Sequence, residues 1–170
     1  MLDGLVKIRP KAIIDERGFF LESFQDPRYQ ELGIKTSFVQ HNHSYSKRGV
    51  LRGMHFQPGQ AKLIYVVKGS IFDVAVDIRK SSPTFGKWEG VYLNDQNHEQ
   101  FFIPDGFAHG FLVLSDEAHV LYKVSAVYNS ATERGFRYDD PEVGITWPEQ
   151  GQIISMRDRN APLMHEVVTL

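Results

Sequence analysis

A chain of 170 residues, 42% hydrophobic and 24% charged, has the size and balance of one globular domain rather than of a disordered or fibrous segment. Nineteen basic against twenty-one acidic side chains leave no basic field for nucleic acid or an anionic membrane, so any anion has to be gripped locally. With no cysteine the chain excludes disulfides, thiolate metal sites and a cysteine nucleophile, and no run of about 18 apolar residues marks a membrane span or leader, so a soluble cytoplasmic protein is expected.

In chain order, "QDPRYQELG" (25–33) reads as a short surface helix, with Asp26 as cap, Pro27 at the first helical position and Gly33 as terminator. Strand-like runs follow in "SFVQHNHS" (37–44) and "GVLRGMHF" (49–56). The stretch "KLIYVVKGSIFDVAVDIRK" (62–80) reads as a hairpin turning at Lys68-Gly69-Ser70. Phe72, Val74, Val76 and Ile78 fall on one face and Asp73, Ala75 and Asp77 on the other. "KWEGVYL", "EQFFIP", "GFLVLS" and "HVLYKVSAVY" (119–128) continue the pattern between turn residues, the rhythm of a β-sandwich or barrel. After Trp147-Pro148 periodicity fades, and the tail from about residue 149 to 170 is expected to be ordered by lying across the β-body. The expectation is one almost wholly β domain, residues 1–170, with one or two short peripheral helices.

Of seven histidines, only His55 in "LRGMHFQ" and His109 in "IPDGFAHGFLVL" sit in apolar strand-like surroundings. His55 can be a metal ligand, a base or a packing residue. Pro104, Gly106 and His109 resemble the second cupin motif, with His55 in the first, but Gln57 stands where a metal-binding cupin has its second histidine, and Ala61-Lys62 near its glutamate. Two imidazoles, an amide and an ammonium make a poor cage for a dication, whereas a fixed ammonium suits a developing enolate. As a base, His55 needs an orienting partner and an opposing acid. Strand alternation puts Tyr122 and Tyr128 on one face, one phenol to donate a proton and the other to stack on a ring; the alternative is two core aromatics. Arg17 and Arg52, each beside glycine, are phosphate grips or rim ion pairs. Alternation also turns Arg52 and His55 to opposite faces unless Gly53 introduces a bulge.

Taken together, "DERGFFLESF", "FVQHNHSYS", "GVLRGMHFQ", "FDVAVDIRKSSPTFGKW", "IPDGFAHGFL", "LYK", "YNSATERG", "DDPEVGITWP" and "RDRNAP" resemble the dTDP-4-dehydrorhamnose 3,5-epimerase family of nucleotide-sugar epimerases over nearly the whole chain. The resemblance implies a cupin-type jelly roll, without metal or other cofactor, working on a dTDP-linked 4-keto-6-deoxy sugar. It also implies a homodimer with exchanged N-terminal strands. It places the base on His55, its orienting carboxylate on Asp158, the proton donor on Tyr122 and the carbonyl-side lysine on Lys62. Arg17, Phe20, Glu22, Gln40, His41, Asn42, Arg52, His109, Tyr128, Glu133 and Arg157 fall on positions that hold the substrate, with Phe20 and Tyr128 as stacking partners of the base. The chain departs from the family pattern at His41, where aspartate is usual, and at Tyr65, where arginine is frequent. A single-centre epimerase, a metal-dependent cupin enzyme and a non-catalytic sugar-binding module remain the competing expectations.

Overall fold

The computed structural model describes residues 1–168. In chain order the strands are β1 (Val6–Ile8), β2 (Ala12–Asp15), β3 (Gly18–Leu21), β4 (Gln40–Lys47), β5 (Val50–Phe56), β6 (Lys62–Lys68), β7 (Ser70–Asp77), β8 (Trp88–Asn94), β9 (Gln100–Ile103), β10 (Phe107–Val113), β11 (Glu117–Val124), β12 (Arg134–Gly135) and β13 (Ile153–Ile154). Three short helices accompany them, α1 (Asp26–Glu31), α2 (Met156–Arg159) and α3 (Met164–Val167). A five-stranded sheet runs β1-β9-β6-β11-β4, and a second runs β12-β5-β10-β7-β8 with β13 added parallel to β5. Facing each other, these form the β-sandwich of the cupin type. Among the described residues β2 and β3 pair only with one another.

The strand runs of the sequence fall where period two puts them, but the 62–80 stretch is not a hairpin. β6 pairs with β9 and β11 in one sheet, while β7 pairs with β8 and β10 in the other. Gly69, at φ 82°, carries the chain between the sheets, and a Cβ there would run into the carbonyl of Glu117. Alternation along β7 still reads its two faces. Ile71 and Ala75 join Ile64, Val66, Phe101 and Val120 between the sheets. Phe72, Val74 and Val76 pack outward against Phe136, Trp147 and Met164. Each such fully buried aliphatic or aromatic side chain contributes about 1.5–3 kcal/mol.

The outward layer is made by the chain after β12, so the C-terminal segment is held by apolar burial and not by strand pairing alone. It is less irregular than its sequence suggests, since it supplies β13, α2 and α3, and the helices among the described residues number three rather than one or two. At α1 the cap is Gln25, with no side-chain bond, and Asp26 sits inside the first turn accepting from Gln30 Nε2 at 2.6 Å. Gly33, at φ 87°, follows the last turn as the sequence requires. Tyr29 of α1 and Ile34 cover Leu63 and Phe102 on the outer face of the five-stranded sheet.

Candidate active site

The site is built on a bulge. Opposite His55 on β5 lies His109 on β10, but the next pair is Arg52 with Phe111, so three residues of β5 span two of β10. Gly53, at φ 121°, takes up the extra residue; its Cα lies so close to β10 that a Cβ would stand 2.6 Å from Gly110 Cα. The bulge undoes the alternation that separates Arg52 from His55, and both side chains line one cavity of about 500 Å³. Asn42 from β4, Lys62 from β6 and Tyr122 from β11 meet them there.

Each histidine is held by a carboxylate. His55 Nε2 lies 2.6 Å from Asp158 Oδ1, and His109 Nε2 lies 2.9 Å from Asp73 Oδ2. An Nε2–H donated to the carboxylate leaves Nδ1 of either ring as an acceptor. Ser155 caps α2 by accepting from the backbone of Asp158 at 3.1 Å, which fixes the carboxylate at the start of the helix. Burial pushes the Asp158 carboxyl up, but the bonds from His55, Gly53 and Ser155 outweigh it and hold it below the usual range. Burial raises Asp73 and lowers His109, so that ring stays neutral. Lys62, 8% exposed as a residue, donates from Nζ to the carbonyl of His55 at 3.2 Å. Burial pulls its ammonium down to about 8, against the pull of Glu133 and Asp73. Burial raises the Tyr122 hydroxyl, with Arg52 opposing, so it keeps its proton at neutral pH.

His55, Tyr122, Asp158, Lys62, Asn42, Arg52, His109, Tyr128, Glu133 and Arg157 all line the cavity. Tyr128 reaches it by a different route from the one alternation gives, because β11 ends at Val124 and an irregular segment brings the ring round. Glu133 Oε2 accepts from Arg157 Nη2 at 2.6 Å and from Tyr128 OH at 3.2 Å. Gln40 braces the wall, donating to Asn42 Oδ1 at 2.8 Å and accepting from the Tyr128 backbone at 3.0 Å. Arg52 is tied to β4 through Ser46 Oγ at 3.0 Å and the Tyr45 carbonyl. Arg17, Phe20 and Glu22 lie elsewhere, on or beside the β2–β3 hairpin; Arg17 pairs with Asp15, Glu22 with Arg28, and Phe20 is 69% exposed. His41 faces away from the cavity toward Lys123, 3.4 Å from its ammonium. Gln57 serves as a tether, bonding the Val127 carbonyl and the Asn129 N–H. With both Nε2 atoms engaged by carboxylates and an ammonium beside them, the donor set does not fit a dication. Sequence reasoning passed over Asp73 as the partner of His109, although an acid inside the apolar run "IFDVAV" was its signal.

The model of the family described as dTDP-4-dehydrorhamnose 3,5-epimerase matches residues 1–166. The chain belongs to this family. The enzyme of that name from Methanothermobacter thermautotrophicus is 51% identical, over 99% of this chain and 95% of its own. The crystal structure of dTDP-6-deoxy-D-glucose-3,5-epimerase from Legionella pneumophila, in complex with dTDP-4-keto-L-rhamnose, superposes with a TM-score of 0.95. It is 50% identical and covers 98% of this chain and 90% of that one. A dTDP-4-dehydrorhamnose 3-epimerase from Streptomyces niveus is 42% identical, over 97% of this chain and 82% of its own. The two positions expected to depart from the family pattern lie together and off the large cavity. His41 and Tyr65 line a smaller one of about 140 Å³ with Leu121 and Lys123.

Proposed function

We propose that this chain inverts C3 and C5 of a dTDP-linked 4-keto-6-deoxy sugar by proton abstraction and return. The observation that carries the reading is the His55–Asp158 pair at 2.6 Å facing a cavity that also holds a buried ammonium and a protonated phenol. His55 takes the proton α to the 4-keto group, the bonding electrons move onto the keto oxygen, and Lys62 stabilises the enolate. Tyr122 returns a proton on the opposite face. Asp158 fixes the His55 tautomer and stabilises the imidazolium, the logic of a catalytic dyad. Asn42, Arg52, His109, Tyr128, Glu133 and Arg157 hold the substrate, with Tyr128 stacking on the base.

The same reading makes the protein a cytosolic homodimer that exchanges its N-terminal strands. Support comes from the β2–β3 hairpin, which exposes Ile14 at 78% and Phe20 at 69%, and from β4, a sheet edge whose outer side is unpaired among the described residues. Among those residues no helix is long and apolar enough to cross a membrane. Incubation of dTDP-4-keto-6-deoxyglucose in heavy water tests the reaction. Deuterium is expected at both carbons and is expected to vanish with His55→Ala, while uptake at neither carbon removes the epimerase reading. The 3-epimerase relative favours a second reading, inversion at one centre, which the same experiment reports as a single deuterium.

A further inference from the structure

The chain between β11 and β12 carries Tyr128, and little of its own holds it in place. Among the described residues no main-chain to main-chain hydrogen bond reaches positions 126–128. Val127 is 65% exposed and Tyr128 51%, and neither joins an apolar cluster. An irregular segment of this kind is ordered only if other groups take its N–H and C=O. We propose that Gln57 is a positioning residue that sets the Tyr128 ring for the nucleobase, an inference that rests on the reading above of Tyr128 as the stacking partner.

Three glutamines supply the missing bonds. Gln60 Nε2 donates to the Ala126 carbonyl at 2.9 Å, and Gln40 Oε1 accepts from the Tyr128 N–H at 3.0 Å. Gln57 makes two, donating from Nε2 to the Val127 carbonyl at 3.0 Å and accepting at Oε1 from the Asn129 N–H at 2.9 Å, so it grips the residues on either side of Tyr128. A planar side-chain amide suits both partners at once, whereas a carboxylate only accepts. Beyond Asn129 the chain closes its own turn, the Asn129 carbonyl accepting from the N–H groups of Thr132 and Glu133 at 3.1 and 2.9 Å, which leaves Tyr128 as the residue that Gln57 governs. Gln57 is 6% exposed and follows directly on β5, two residues past His55. One strand therefore fixes both ends of the substrate: the base that meets the sugar and the ring that meets the nucleobase.

The grip governs position more than folding. Val127 and Tyr128 lie at the surface, so water takes over the main-chain groups when the amide is removed, and the packing between the sheets does not depend on them. What falls is the fraction of time the ring stands where the nucleobase needs it, and apparent affinity falls with that fraction, about tenfold for a ring in place about one-tenth of the time. The loss is bounded by the worth of the ring itself, roughly 5- to 150-fold for one stacked base.

Calorimetric titration with dTDP of wild type, Gln57→Leu, Tyr128→Ala and the double variant tests the assignment. Gln57→Leu is expected to weaken dTDP binding about tenfold, yet to add less than about twofold in the Tyr128→Ala background, because a ring that is absent cannot be misplaced. KM for dTDP-4-keto-6-deoxyglucose rises with the Kd while kcat stays within about threefold, since His55 keeps its bond to Asp158. Gln57→Glu keeps the acceptor and loses the donor, so its loss lies between wild type and Gln57→Leu, and it carries the same cycle if Gln57→Leu does not fold. An affinity loss under about threefold in Gln57→Leu, a larger further loss in the double variant than about twofold, or a larger fall in kcat than about threefold overturns the proposal. Failure of both Gln57 variants to fold overturns it as well, since the amide would then support the β-body and not one ring. If Tyr128→Ala binds dTDP as tightly as wild type, the stacking reading itself falls and takes the proposal with it, a result distinct from failure at Gln57.

Discussion

Asp73 and Asp158 hold equivalent nitrogens of two histidines, yet the rings differ in what surrounds them. His109 is buried with Asp73 in β7 behind it and Lys62 beside it, and burial keeps it neutral. The His55 side chain is 26% exposed at the cavity wall, and the Asp158 carboxyl, pushed up by burial, is held below its usual range chiefly by the bond from His55 itself, with Gly53 and Ser155 adding to it. Lys62 is the residue whose chemistry sets a pH limit. Its ammonium lies at about 8 instead of 10.5 because burial disfavours the charge. If the charged form stabilises the enolate, kcat/KM falls tenfold per pH unit above about 8, and Lys62→Met loses both that limb and ~10²–10³ in kcat. Stability runs the other way. The folded value is depressed, so between about 8 and 10.5 the unfolded chain binds more protons, and stability rises with pH across that window. Below it the charged lysine costs about 3 kcal/mol, so Lys62→Met melts higher than wild type at pH 7 and the gap closes toward pH 10.5. Denaturant titrations at the two pH values read this, and a Lys62→Met protein of unchanged stability at pH 7 removes the argument.

At the scale of the element, β5 decides whether the site exists. Its apolar alternation, and the choice of His55, together with His109, over the other five histidines, were legible because strand residues alternate faces and a polar ring among apolar neighbours stands out. The bulge was legible only as a condition attached to Gly53, since a register shift depends on β10 and cannot be read from β5 alone. The partners of β6 and β7 were hidden for the same reason: alternation reports which face a side chain takes, while pairing is a long-range property, and a Gly turn serves a hairpin and a sheet crossing equally. Asp158 lies 103 residues from His55 and entered only through family resemblance. Gly53→Ala tests the bulge. A Cβ 2.6 Å from Gly110 Cα at φ 121° forces β5 off β10, which is expected to cost about 3 kcal/mol and lower Tm by roughly 6–12 °C. Separation of Arg52 from His55 should raise KM as well as lower kcat. A variant that melts with wild type and keeps its KM shows that the bulge positions nothing.

At the scale of the molecule, three positions expected in the site, Arg17, Phe20 and Glu22, lie away from this chain's own cavity, while the expected residues that do line it come from both sheets, the loop before β12 and α2. The physical reason lies in the hairpin that carries them: among the described residues β2 and β3 pair with nothing else and hold exposed apolar side chains, a structure marginal in water without a further surface to cover it. In the proposed dimer a second copy related by a twofold axis would supply that surface reciprocally, each hairpin closing the other's cavity. Complementation distinguishes this arrangement from a hairpin that folds back on its own chain. His55→Ala and Arg17→Ala homodimers each carry a defect in both sites. When the two are co-expressed, a mixed dimer has one site with both defects and one with neither, provided that Arg17 acts across the interface. Random pairing makes half the dimers mixed, so activity is expected to recover to roughly a quarter of wild type. If Arg17 serves the cavity of its own chain, every site in the mixture keeps one defect and activity stays at the level of the separate variants.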